Sequence, residues 1–260
     1  MVGSLRAHLN ILRAIIKSGA RTSLILEDDV DWDVRLKSQL VDFALGIRHL
    51  SALETPKQSS NNTLAPKSTN KKGSKDQRNE NSPYREDWDL LWLGPLSASI
   101  HAKNPELFLI PNDPSVPPPE KIRAYRDFQP DPTAYPPHTR LIYHAGERMI
   151  GTTAYAVSYL GAQKLIYLLE LIENNDTYDI ALQQFCRDET MGLRCFGVWP
   201  NLFGQHKGKG GLDADSDIKS KDGQGYREVG YTHNVVWSMR RNMERLLMGM
   251  EEMEESLDYI

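Results

Sequence analysis

Glu27, Asp28 and Asp29 stand in a row directly after the apolar, partly β-branched segment 22–26, with Asp31 and Asp33 close behind. Three neighbouring carboxylates at the end of a buried strand repel one another and raise each other's pKa unless a positive charge neutralises them. A hard divalent cation does this, because Mg2+ and Mn2+ prefer oxygen ligands and are commonly held by one or two carboxylates plus substrate phosphates. Alternation along an extended chain sends Glu27 and Asp29 to one side and Asp28 to the other, so the first two can share a ligand. A competing use of the run is helix capping: Asp31 or Asp33 can cap the following helix, whose start favours acidic residues.

Around the acidic run the pattern is that of alternating helices and strands. Leu5, Leu9, Leu12, Ile15 and Ile16 recur at helical spacing over residues 3–18, and Gly19 supplies the stop. Helix, tight turn, short apolar strand and then acid is the order expected of a parallel α/β sheet, in which ligands bind at the carboxyl ends of strands. The spacing predicts a second helix over 34–53, with Val41, Ala44, Leu45 and Ile47 among its buried positions. Residues 55–83 have almost nothing apolar and read as a disordered insertion. A strand over 88–93 follows, stopped by Gly94 and Pro95. Prolines then crowd 105–137, which excludes long helices and predicts an extended loop layer on the surface. Beyond it the pattern predicts a strand over 152–158, helices over 162–172 and 180–188, and a strand over 194–198. A glycine-rich stretch over 204–217 carries His206, Lys207 and Lys209 together with Asp213, Asp215 and Asp217. Those aspartates open like a calcium loop, but Ile218 and Gln224 stand where that loop needs its turn glycine and its bidentate glutamate. A last amphipathic helix over 235–257 places Met239, Met243, Leu246, Leu247, Met250 and Met253 on one face, read as packing surface.

The 260 residues carry a formal charge of −4 with both signs interspersed, so no basic stripe offers the footprint that nucleic acid needs. No apolar run approaches the roughly 18–20 residues of a membrane span, and the first residues read as an amphipathic helix, not a signal sequence. Cys186 and Cys195 are too few for a disulfide framework, and burial statistics for cysteine favour free buried thiols over a small-loop disulfide. Asn61 and Asn175 each open an Asn-x-Thr sequon, which matters only in a lumen.

The order GSLRAHL, LILEDDV, WDLLWLG, YAVSYLGAQKL, and then a Pro-x-Leu segment leading to His206 and Ser216-Asp217, resembles glycosyltransferase family 25. That family includes lipooligosaccharide galactosyltransferases and collagen hydroxylysine galactosyltransferases, and the low-complexity insertion fits a fungal-type member. The resemblance implies an α/β, GT-A-like (Rossmann-like) fold: a mixed, mostly parallel sheet flanked by helices. Residues 1–54 and 84–234 would then be two parts of one glycosyltransferase domain, interrupted by the insertion at 55–83 and followed by the C-terminal helix within 235–260. Glu27, Asp28 and Asp29 stand where the family has its acidic metal motif, Asp29 as the best direct ligand. His206 stands at the C-terminal histidine that completes the metal and diphosphate site. His8 matches the histidine of the family's Gly-x-x-x-Ser-His segment, with Ala7 in place of the serine, and is assigned with Lys207 and Lys209 to the donor. Asp179 matches the first residue of an acidic pair and would be the general base, although Ile180 replaces the second.

The activity implied is inverting transfer of a hexose, galactose or glucose, from a UDP-sugar to a hydroxyl on a glycan, protein or lipid, with Mn2+ or Mg2+ as cofactor. The family's upstream strand and helix do not precede Gly3, which predicts an incomplete nucleotide pocket and an exposed apolar edge. The family's compartment, the ER or Golgi lumen, would require an upstream signal. The alternative is a catalytically inactive fragment acting as a binding module. A metal-dependent hydrolase would use the same carboxylates but needs the repeated His and Asp ligands of a two-metal site.

Overall fold

The computed structural model describes residues 2–54, 83–85, 87–123, 129–171, 177–211 and 225–256. Nearly all of the expected insertion, both sequon asparagines, and Asp213, Asp215, Ser216 and Asp217 lie outside them. In chain order the elements are α1 (Val2–Ser18), β1 (Thr22–Leu26), β2 (Val30–Trp32), α2 (Leu36–Glu54), β3 (Leu90–Trp92), β4 (Leu107–Ile110), β5 (Arg140–His144), β6 (Ala154–Ser158), α3 (Tyr159–Leu171), α4 (Tyr178–Arg187), β7 (Cys195–Trp199), β8 (Phe203–Lys207), β9 (Gly210–Gly211), β10 (Tyr226–Arg227), β11 (Tyr231–Thr232) and α5 (Met239–Leu247).

Six strands form the main sheet in the order β1-β6-β3-β7-β5-β4. The β3–β7 pair is parallel and the other pairings are antiparallel. The fold is therefore mixed α/β with a partly parallel sheet, where the helix–strand alternation predicts a mostly parallel one. The difference comes from two inserted strands. β6 lies between β1 and β3, and β5 between β7 and β4, so strands that run the same way are mostly separated by one of opposite sense. β1 is consequently an edge strand of this sheet, with Leu24 49% and Leu26 41% exposed while Ile25 enters the core.

Alternation along the strands builds two cores. Leu90, Trp92, Tyr143, Tyr155 and Val157 face Leu12 and Ile15 of α1, Leu165 of α3 and Leu182 of α4. Leu91, Ile142, Phe196 and Val198 face the other way, onto Phe43, Ile47 and Leu50 of α2 and Val30 and Phe203 of a smaller antiparallel sheet ordered β11-β8-β2. The stripe that α2 buries is thus Phe43, Ile47 and Leu50; the expected core positions Val41 and Leu45 are 60% and 53% exposed. Ser158 caps α3 by accepting from Gly161 N at 2.9 Å.

Three further expectations change. Cys186 and Cys195 are both buried, but they form a disulfide: the end of α4 returns to the start of β7 and brings their Cα atoms within 5.6 Å. The proline-rich segment contributes β4 to the sheet edge as well as loop. Arg140, fully buried, ties the segment down through Asp113 Oδ2 at 2.7 Å, Ser115 Oγ at 3.0 Å and Pro200 O at 2.6 Å. Finally, α5 is short and ends before Gly249, whose φ of +69° turns the chain. Met243, Leu246, Leu247 and Met250 are 38–81% exposed, so the methionine stripe does not form the packing surface expected of it. Among the described residues no helix is long and apolar enough to cross a membrane.

Candidate functional site

Where β1 ends, Glu27 to Val30 make a tight turn closed by Val30 N donating to Glu27 O at 3.2 Å. The turn feeds β2, which pairs with β8 in the register Asp31 to Gly204. His206 N donates to Asp29 O at 2.7 Å, and Arg240, in the first turn of α5, donates from Nη2 to Asp28 O at 2.7 Å and from Nε to Val30 O at 3.0 Å. The acidic turn is thus held from both sides. It sorts the carboxylates as alternation predicts, although by a turn and not an extended strand: Glu27 and Asp29 are half-buried and Asp28 is exposed.

Glu27 Oε1 accepts from Thr152 Oγ1 at 2.7 Å. Burial raises the Glu27 pKa, and the charges of Asp29, Asp179 and Asp28 push the same way against the Thr152 bond. Asp29 Oδ1 is buried without a hydrogen-bond partner. Asp179, in the first turn of α4, reaches the same place: its Oδ2 accepts from Gly151 N at 3.1 Å, next in sequence to the threonine that holds Glu27. Its Oδ1 accepts from Ile180 N at 3.0 Å and from Thr177 Oγ1. Gly151 and Thr152 therefore bracket two carboxylates that lie far apart in the sequence.

Behind these acids sits His8, 6% exposed, its ring stacked 4.0 Å from that of Tyr178 and its Nδ1 2.9 Å from the Tyr155 hydroxyl. Tyr155 and Tyr178 hydroxyls share a bond of 3.0 Å, and burial pushes both phenol pKa values up, so they stay neutral. Burial also lowers the His8 pKa to about 4, against the opposing charge of Asp179. His8 thus backs the carboxylates as a neutral packing and hydrogen-bonding group.

His206 lies on the other side of the turn. Asp31, wholly buried, accepts from Trp32 N at 2.9 Å, Arg240 N at 3.2 Å, Thr232 Oγ1 at 2.6 Å and the Ser238 hydroxyl. Thr232 spends its single hydroxyl proton on Asp31, so its contact with His206 Nδ1 at 3.0 Å must be a bond that Nδ1–H donates. That leaves Nε2 of the neutral ring with its lone pair, the form in which imidazole ligates a metal. Burial lowers the His206 pKa further, aided by Arg240 and Arg227 against Asp31 and Asp29. Gly204 permits the close approach of β11, since a Cβ there would meet Thr232 Cγ2 at 2.5 Å. Asp33 serves the capping role instead: its Oδ1 accepts from Arg35 N at 2.9 Å, beside an ion pair with the Arg35 guanidinium at 2.7 Å.

The structure therefore brings Glu27, Asp29 and Asp179 together, with His8 behind and His206 beside the turn. It does not bring the two lysines to the carboxylates. Lys207 follows His206 on β8 and so points to the opposite face, and Lys209 pairs at 3.5 Å with Glu228 on the surface. Among the described residues no three His, Cys, Asp or Glu side chains are placed to hold a metal by themselves. A cation held by two carboxylates and completed by substrate phosphates still fits the residues, because the unpartnered buried oxygen of Asp29 beside Glu27 is a ligand position left open. Thr152, Tyr155, Tyr178, Thr232 and Arg240 are the contributors that the sequence reading missed. The chain matches no known protein family and no curated protein, so the side chains themselves carry the functional reading.

Proposed function

We propose that the chain is a metal-dependent glycosyltransferase of GT-A type that moves a hexose from a UDP-sugar to a hydroxyl acceptor with inversion. The observation that carries this reading is the buried, unpartnered Asp29 Oδ1 beside Glu27 in the turn at the carboxyl end of β1. Two half-buried like charges with an open oxygen call for a cation there. The mixed sheet with helices on both faces supports the GT-A assignment, as does the resemblance of the sequence segments to those of glycosyltransferase family 25. A bound Mn2+ or Mg2+ would neutralise the charge growing on the departing diphosphate. Asp29 and Glu27 would hold it, with Thr152 fixing the Glu27 carboxylate. His206, beside the turn, keeps its Nε2 lone pair on the side of Gly230, its ring orientation set by Thr232 and Asp31. Asp179 Oδ2 carries one hydrogen bond, from Gly151 N, and keeps a lone pair that takes the proton of the acceptor hydroxyl as its oxygen attacks the anomeric carbon.

Calorimetry with UDP and Mn2+ tests the site. We expect binding that requires both components and is lost in Asp29→Ala; an Asp29→Ala protein that binds UDP and Mn2+ like the wild type would sink the assignment. The three hydrogen bonds already made to Asp179 favour a second reading, a binding module without turnover. Single-turnover assays with UDP-hexoses separate the two, since only the transferase reading predicts UDP release that depends on acceptor and on Asp179.

A further inference from the structure

We propose that the cleft between β8, residues 229–231 and the start of α5 binds a phosphate-class anion through side-chain cations, without a metal. Its place in catalysis rests on the transferase reading above; the binding itself does not. The cleft measures about 270 Å3 and is walled by Arg240, Arg241, Lys209, His206, Tyr231 and Ser256 among others, with no carboxylate in its lining. That volume is below the roughly 300–1,000 Å3 of pockets for drug-sized ligands, so it suits a small anion or one group of a larger ligand.

Each cation stands differently. Arg241 is committed to Glu254, with Nε at 2.7 Å from Oε1. Lys209 and Glu228 are 60% and 79% exposed at 3.5 Å, a pair weak enough to exchange for a ligand. The Arg240 guanidinium has no carboxylate partner among the described residues. It spends two of its five donors on Asp28 O and Val30 O, which fixes the guanidinium before any ligand arrives and leaves three donors for it. Ser256, 2% exposed, accepts from Ser238 N at 3.1 Å, and its own hydroxyl hydrogen has no acceptor among the described residues. The first amides of α5 are taken, Arg240 N by Asp31 and Arg241 N by the Ser238 hydroxyl, so side chains must supply the donors. Because Arg240 grips the carbonyls on either side of Asp29, an anion in the cleft lies against the acidic turn.

The test is calorimetry of the full chain with inorganic pyrophosphate in the presence of a chelator. Pyrophosphate is expected to bind, to weaken as salt rises, and to lose roughly tenfold or more in affinity in Arg240→Ala. Lys209→Ala, an exposed change that leaves the fold untouched, is expected to cost roughly two- to fivefold. Lys17→Ala, an exposed cation on α1, should leave it unchanged. No binding without metal, or binding that neither Arg240→Ala nor Lys209→Ala weakens, overturns the proposal. With Mn2+ in place of the chelator, competition by UDP would identify the anion as the donor's diphosphate, and simultaneous binding of UDP and pyrophosphate would identify it as a phosphate on the acceptor. Metal-free pyrophosphate binding in a protein that never binds UDP with Mn2+ would uphold the cleft and sink the transferase.

Discussion

His8 shows what burial does to a single residue in this site. In the unfolded chain its pKa is near 6.5, and in the fold it is held at about 4, so between those values the unfolded chain binds more protons than the folded one. Stability that is present at neutral pH is therefore lost as pH falls from about 6.5 towards 4, by about 3 kcal/mol for this group. Glu27 acts with the opposite sign, since its raised pKa makes its ionised form a cost that acid relieves. A His8→Phe protein keeps the ring stacked on Tyr178 and lacks the titration. Denaturant unfolding at pH 7 and pH 4.5 should show the wild type losing about 2.5 kcal/mol more than the variant over that interval. Equal losses would mean that His8 is solvated and protonated in the folded state. The sequence exposed the acidic residues of the site well, because a carboxylate run after an apolar strand has few other uses. It hid Tyr155, Tyr178 and Thr152, because a tyrosine in a strand or helix, or a threonine before a strand, looks the same whether it packs or supports a carboxylate.

Among the elements, α4 is the one whose placement matters most, because it carries Asp179 and Tyr178 at one end and Cys186 at the other. The disulfide to Cys195 fixes its C-terminal end to β7. Closing a loop with a sequence separation of 9 stabilises the fold by about 2–3 kcal/mol through the unfolded chain. Replacing both cysteines by alanine should lower Tm by roughly 5–10 °C under oxidising conditions, and a reductant should then have no further effect. An unchanged Tm would show that packing alone holds the helix. Burial of both thiols was legible from composition; their pairing was not, since it depends on where β7 enters the sheet. The helices predicted over 3–18, 34–53, 162–172 and 180–188 were legible to within a few residues, because an apolar stripe every three to four positions is a strong signal, whereas the one predicted over 235–257 shrinks to Met239–Leu247. The short strands β2, β4, β5 and β8 were missed, as three to five residues give too little alternation to stand out. The outer positions of α2 were misread for a related reason: Val41 and Leu45 are apolar, but Phe43, Ile47 and Leu50 face the sheet.

At the level of the whole molecule, strand order cannot be read from a list of elements. The segments 88–93, 152–158 and 194–198 were each recognisable as strands, yet nothing local says that the second lies between β1 and β3 with reversed sense. That placement matters to function, because β6 delivers Thr152 and Thr153 to the end of β1 and thereby joins Asp179 to the acidic turn. The site is thus assembled from α1, the β1–β2 turn, the approach to β6, α4, β8 and the start of α5, which makes ligand binding and global stability linked quantities. If UDP and Mn2+ bind this assembly and not the unfolded chain, a hundredfold excess over Kd adds about 2.7 kcal/mol. For a chain of this size that raises Tm by roughly 5–10 °C. Neither component alone should give a shift of that size, because the two carboxylates leave coordination for phosphate to complete and UDP without the cation is left with the Arg240 cleft alone. The Asp29→Ala protein should show no shift, while the double cysteine variant, destabilised but with its carboxylates intact, should show the full one. A shift of the same size with UDP alone, or one that survives in Asp29→Ala, would place the nucleotide away from the turn and leave the carboxylates without the role argued for them.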